Sequence, residues 1–122
     1  MSILERLGVE KPIIQAGMGP TISRHRLAAA VSEAGGLGTI AVQGPEAIER
    51  EIRAARSLTS RPIALNVILH YARPSWFRAA EKADALVTFW GRPKRRRVPF
   101  ISLILLRRRT SGVFHVIAIE IE

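Results

Sequence analysis

The chain of 122 residues contains no cysteine. That excludes disulfides, thiolate metal sites and a cysteine nucleophile, and it fits a reducing compartment. It also lacks an apolar run of membrane-spanning length. The run over residues 98–106 falls far short of the roughly 20 residues a spanning helix needs, and basic residues flank it. The first residues, Met1-Ser2-Ile3-Leu4-Glu5-Arg6, place charges inside a short apolar patch, so a signal-peptide core is not expected there. The expected location is therefore the cytoplasm. Low-complexity segments and metal-ligand clusters are absent from the sequence, and its length suits one domain.

What is present is organised in β-loop-α units. Pro12 cannot donate to a ladder and suits the start of a strand, with Ile13, Ile14, Gln15 and Ala16 following as a largely apolar run. Gly17-Met18-Gly19-Pro20 then permits a tight turn and a close backbone approach to a ligand. Ser23 is placed as an N-cap, and Leu27, Ala28, Val31 and Ala34 give residues 24–34 an apolar helical stripe. Gly35, Gly36 and Gly38 stop this helix and return the chain into a second strand over 37–42; they are read as turn residues without a ligand role.

The pattern continues without repeating its letters. Residues 45–58 carry Ile48, Ile52, Ala55 and Leu58 on one face and an acidic first turn that suits the helix dipole. Residues 63–69 form a near-continuous apolar run interrupted by Asn66, as in strands buried on both faces. A helix over 75–82 and a strand over 85–89 complete the series. Strand centres near 14, 39, 65 and 87 fit successive parallel strands with crossover helices. An Asn inside such a run requires a partner if buried. Asp84, just before a strand, reads as a turn residue, and His70 as a loop histidine.

Three blocks in this order, 12–19, 27–40 and 61–67, resemble the N-terminal part of the nitronate monooxygenase (2-nitropropane dioxygenase) family. Flavin-type enoyl-acyl carrier protein reductases share the blocks, and inosine monophosphate dehydrogenases share the Ala-Gly-Gly-Leu-Gly element more distantly. The resemblance, covering about residues 7–91, implies an α/β fold, the N-terminal half of a (β/α)8 barrel with about four β/α units. It implies FMN as cofactor, with Gly17, Met18 and Gly19 against the flavin ring and Asn66 hydrogen-bonded to it. The implied activity is oxidation of alkyl nitronates with O2 to carbonyl compounds and nitrite. In that family the phosphate of FMN is bound by glycine-rich loops late in the barrel, and the catalytic histidine stands in a Gly-Gly-His segment past its midpoint. Neither has a counterpart here, because His25, His70 and His115 stand in no matching motif. A full barrel takes roughly 250 residues. Weak or absent FMN binding by this chain alone is the expectation, and the open strands call for either pairing with a second copy or aggregation.

Residues 92–122 read differently. Positions 91–122 hold 8 Lys+Arg and 2 Asp+Glu, against 11 and 8 in positions 1–90, so the +9 net charge is concentrated at the end. The basic runs 92–97 and 107–109 flank residues 98–106, and the resemblance fades from about Val98. An irregular tail is expected, one produced by a shifted frame between about 93 and 98. The competing reading is a basic binding module attracted to nucleic acid or an anionic membrane surface; the loss of resemblance favours the former.

Overall fold

In a computed structural model of the chain, the described residues are 2–89, 101–107 and 114–120. The elements run α1 (Ile3–Leu7), α2 (His25–Glu33), β1 (Gly38–Ile40), α3 (Pro45–Leu58), β2 (Ile63–Ile68), α4 (Pro74–Ala80), β3 (Ala85–Phe89), β4 (Ile101–Arg107) and β5 (Phe114–Glu120). They form one sheet in the order β1-β2-β3-β4-β5. β1, β2 and β3 pair in parallel, each reached through a helix. That is the α/β half-barrel pattern expected from the sequence.

Alternation along each strand separates two cores. Ile63, Leu65 and Val67 of β2 join Ile40 and Leu86 in packing against Ile48, Ile52 and Ala55 of α3 and Trp76, Ala79 and Ala80 of α4. On the other face Leu37, Ala64 and Ala85 are closed at one end by Val9, Leu4 and Leu7. α1 supplies two of those three side chains. It owes its short helix to a capping box in which the Glu5 amide donates to Ser2 Oγ at 3.2 Å and the Ser2 amide to Glu5 Oε2 at 2.6 Å. Gly8, at φ 75°, ends it.

α2 lies unusually close to the sheet. A Cβ on Gly38 would run into the backbone of Ala28, so only glycine admits this approach. The buried Ser32 hydroxyl fastens the contact, donating to the Pro62 carbonyl at 2.7 Å and accepting from the Gly38 amide at 2.9 Å. At the same end of the sheet, Asp84 Oδ2 accepts from Arg56 Nη2 at 2.5 Å and from the Ile63 amide at 2.9 Å. Asp84 is thus the turn residue the sequence indicates, tying α3, β2 and β3 together.

Three expectations are corrected. Residues 12–16 contribute one parallel bridge, Ile14 to Leu37, and no full strand. Ser23 is not the N-cap of α2: that position is Arg24, which makes no side-chain capping bond. In place of a wholly irregular tail, β4 pairs antiparallel with β3 and β5 antiparallel with β4. The edge of β3, expected to be open, is therefore covered. The basic run 92–97 lies outside the described residues, as do Arg108 and Arg109.

Replacing Gly38→Ala is expected to lower the unfolding free energy by about 2 kcal/mol or more, because the obstruction is backbone and cannot swing away. Urea denaturation checks this, and an unchanged midpoint contradicts the close approach.

Candidate functional site

The site forms where the 12–16 segment and β2 end. The segment is held to β1 by two backbone bonds, Leu37 amide to Ile13 carbonyl at 2.9 Å and Gln15 amide to Leu37 carbonyl at 3.0 Å. The next rung is supplied by a side chain. Gln15 Nε2 donates to the Thr39 carbonyl at 3.0 Å, and Gln15 Oε1 accepts from the Thr39 amide at 3.2 Å. A strand too short to pair by backbone alone is thereby held in register, and the chain beyond it is free to leave the sheet as a loop.

Ser23 holds that loop. Its buried hydroxyl accepts from the Met18 amide at 2.8 Å and donates to the Ala16 carbonyl at 3.3 Å, while its own carbonyl accepts from the Ala41 amide at 2.8 Å. Gly19 turns at φ 88°, and its carbonyl accepts from the Ser23 amide at 3.0 Å. The loop is pinned from within, and Met18 is left 48% exposed.

Gly17 rests directly on Asn66. The place a Cβ would occupy is taken by the Asn66 side-chain amide. Asn66 itself is 9% exposed, and its Oδ1 is buried with no hydrogen-bond partner among the described residues. A buried carbonyl oxygen left without a donor costs about 1–3 kcal/mol, so it marks a place where a donor is expected. A cavity of about 110 Å³ opens here, lined by Gly17, Gly19, Pro20, Gln43, Asn66 and Ile68 among others. Of the sequence-indicated site residues, the structure brings Gly17, Gly19 and Asn66 together and sets Met18 beside them. His70 is exposed, stacked edge-on against Tyr71 at 4.9 Å, and is not among the cavity's lining residues. His115 falls in β5.

A second arrangement escaped sequence reading. Glu51 of α3 is 2% exposed. Its Oε1 accepts from Arg24 Nε at 3.1 Å and Nη2 at 2.6 Å; its Oε2 accepts from the His25 amide at 2.9 Å and lies 2.7 Å from His25 Nδ1. The carboxylate thus caps α2 from a neighbouring helix, doing what an N-cap side chain does elsewhere. Burial pushes the Glu51 carboxyl up, but the Arg24 guanidinium, the His25 amide and the His25 ring outweigh it and hold it at about 2. The sequence signal was a glutamate inside the apolar stripe of Ile48, Ile52 and Ala55.

Parallel strands joined by helices, with a glycine loop and a cavity at the carboxyl ends, define a β/α-barrel segment with a candidate ligand site at the face where such barrels bind ligands. Comparisons assign the family. The family model for nitronate monooxygenase matches residues 2–102, and the chain belongs to that family. It is 43% identical over 81 residues to a nitronate monooxygenase of Paraburkholderia phytofirmans, covering 65% of this chain and 21% of that protein. To one from Pseudomonas aeruginosa it is 48% identical over 66 residues, covering 52% and 18%. Among solved structures it resembles FabK from Thermotoga maritima, with TM-score 0.62 and 32% identity over 70% of this chain and 29% of that one. A point mutant of the same FabK gives TM-score 0.66 at 31% identity, covering 75% and 32%. The chain spans about one fifth of the length of the curated relatives it matches. Among the described residues, no helix is long and apolar enough to cross a membrane.

The Glu51 geometry sets a pH dependence. The unfolded carboxyl takes up its proton near 4.5 and the folded one near 2. The stabilisation is therefore complete above the unfolded value and is lost as pH falls between the two, on the order of 3 kcal/mol in all. Unfolding free energies measured from roughly pH 6 down to pH 2 should show this loss, and Glu51→Gln should flatten it. An equally steep fall in the variant would contradict the assignment.

Proposed function

We propose that residues 1–91 are the opening part of an FMN-dependent nitronate monooxygenase barrel, and that Gly17, Met18, Gly19 and Asn66 receive the flavin ring. The observation that carries the reading is Asn66 Oδ1, buried without a donor among the described residues, beneath a glycine whose Cβ position is taken by the Asn66 amide. A flavin ring has an N–H edge to offer that oxygen. The exposed Met18 thioether, on a loop fixed by Ser23, suits the flat face of a ring. These residues fit the ring portion of the cofactor.

The bound flavin would supply the redox chemistry by which alkyl nitronates and O2 give carbonyl compounds and nitrite. This chain's own residues would position the ring and exclude water from one face of it. Gln15 and Ser23 hold the loop, and Asn66 accepts the hydrogen bond. No side chain lining the cavity carries a charge, so neither a phosphate clamp nor an acid/base group is supplied there. The nitronate names of the family model and of the curated relatives favour this substrate over the enoyl-thioester alternative.

The division near residue 91 is part of the same proposal. It is supported by the concentration of positive charge beyond it and by the change from parallel pairing in β1–β3 to antiparallel pairing at β4. A (β/α) unit after β3 would add its strand in parallel. The strands β4 and β5 thus depart from the barrel pattern, in keeping with a shifted frame, although the family model runs on to residue 102, and a second copy of the chain is the proposed cover for the open face.

Purified chain is expected to carry flavin far below one equivalent and to show no nitronate-dependent oxygen uptake beyond that of free FMN. Gly17→Ala, which displaces Asn66, should abolish the remaining weak flavin signal. Stoichiometric yellow absorbance would overturn the half-site reading, and NAD(P)H oxidation with an enoyl thioester would redirect the substrate.

A further inference from the structure

Among the described residues, two buried side-chain polar atoms lack a hydrogen-bond partner, Thr39 Oγ1 and Asn66 Oδ1. The proposed ring contact accounts for the second only. Thr39 is 1% exposed, in the middle of β1. Leu37, Ala64 and Ala85 belong to the sheet face turned away from α3 and α4. Alternation puts Thr39, two residues after Leu37, and Asn66, two after Ala64, on that same face. Thr39 is opposite Ala64 in the β1–β2 register, so Asn66 is its diagonal neighbour toward the carboxyl ends of the strands.

The surroundings leave the hydroxyl few options. Gln15 spends its amide on the Thr39 backbone and on the Ser23 hydroxyl, and makes no bond to Thr39 Oγ1. Ala64 and Ala85 continue the row from Thr39 across β2 and β3, and their methyl groups offer no polar atom. Three small side chains in one row occupy less of the interior than the bulky branched residues usual in barrel layers. A buried polar group without a partner is costly, and an ordered water is the common remedy where two such groups lie within its reach. Diagonal neighbours on one sheet face are roughly 7–8 Å apart at Cα and closer at Cβ. A water bonded to two oxygens spans about 5.5 Å between them, which fits that spacing.

We propose that Thr39 and Asn66 share one buried water, which accepts from the Thr39 hydroxyl and donates to Asn66 Oδ1, and that Thr39 is thereby a positioning residue for the Asn66 amide. A hydroxyl in a strand also has the option of turning about χ1 to donate to a nearby main-chain carbonyl. That would satisfy Thr39 and leave Asn66 Oδ1 orphaned, whereas one water answers both atoms. An amide oxygen has two acceptor positions, so a water on one leaves the other for a ring N–H. The relay also decides which way the amide faces. With its oxygen held by the water, Nδ2 is turned toward Gly17, as the structure has it. The water does not depend on the flavin reading; a benefit to ring binding does.

The test counts long-lived internal waters in the whole chain by magnetic relaxation dispersion of the water oxygen nucleus, and follows the Asn66 side-chain amide by NMR. Thr39→Val, which keeps the branched shape and removes the hydroxyl, should lower the count by about one molecule, and Thr39→Ser should restore it. The Asn66 amide signals should shift or broaden in Thr39→Val and return in Thr39→Ser, with the backbone amides of Leu65 and Val67 in place as the check on folding. A native chain with no long-lived internal water overturns the proposal without any variant, and so does an equal count in Thr39→Val. A lowered count with unchanged Asn66 signals overturns the positioning role. Lumiflavin titrated into the same samples should bind Thr39→Val more weakly by about fivefold or more. Failure of the native chain to bind lumiflavin overturns the ring contact alone, since the water count and the Asn66 signals are read without it.

Discussion

Gly17 seated on the Asn66 side chain is the contact on which the candidate site depends. Asn66 belongs to β2, whose neighbouring residues Leu65 and Val67 are locked against the helices, so its position is set by the core. The loop is brought down onto it by bonds that begin far from the cavity. Gln15 continues the pairing with Thr39 after the backbone ladder has stopped, and Ser23 folds the chain back so that the Met18 amide and Ala16 carbonyl share one hydroxyl. A Cβ at position 17, or an outward rotation of Ser23, would separate the loop from β2 and leave no cradle.

The same region is braced from the outside by Glu51. Burying a carboxylate is unfavourable unless its oxygens are satisfied, and here one guanidinium, one imidazole and one helix-terminal amide satisfy both. This locks α2 to α3 at the end where the loops emerge, whereas Asp84 and Ser32 lock the helices and strands at the opposite end. The rigid scaffold therefore has loops fastened over it, the usual division between barrel body and active face.

Where periodicity was strong, the sequence was readable. The helix Pro45–Leu58 and the strand Ala85–Phe89 lie where their apolar spacing and flanking breakers put them. Residues 12–16 carry the composition of a strand, but their ladder consists of one bridge and a side-chain substitute, which composition does not register. α1 is too short for a periodic signal, and its evidence is a reciprocal cap between Ser2 and Glu5. Gly17, Gly19 and Asn66 were legible because glycine and a lone amide are conspicuous in apolar runs. The roles of Ser23, Gln15 and Glu51 depend on partners 5 to 27 positions away, as Ser23 to Met18 and Glu51 to Arg24 illustrate, and so are invisible to local pattern.

A site that holds a ring from one side and lacks a charged phosphate clamp predicts a particular ordering of affinities. The direct measurement is to titrate the chain with FMN and with lumiflavin, which has the ring without the ribityl phosphate, following flavin fluorescence. The account predicts dissociation constants within a factor of about three of each other. FMN binding more tightly by about tenfold or more would show that the chain grips the phosphate as well, and would contradict it.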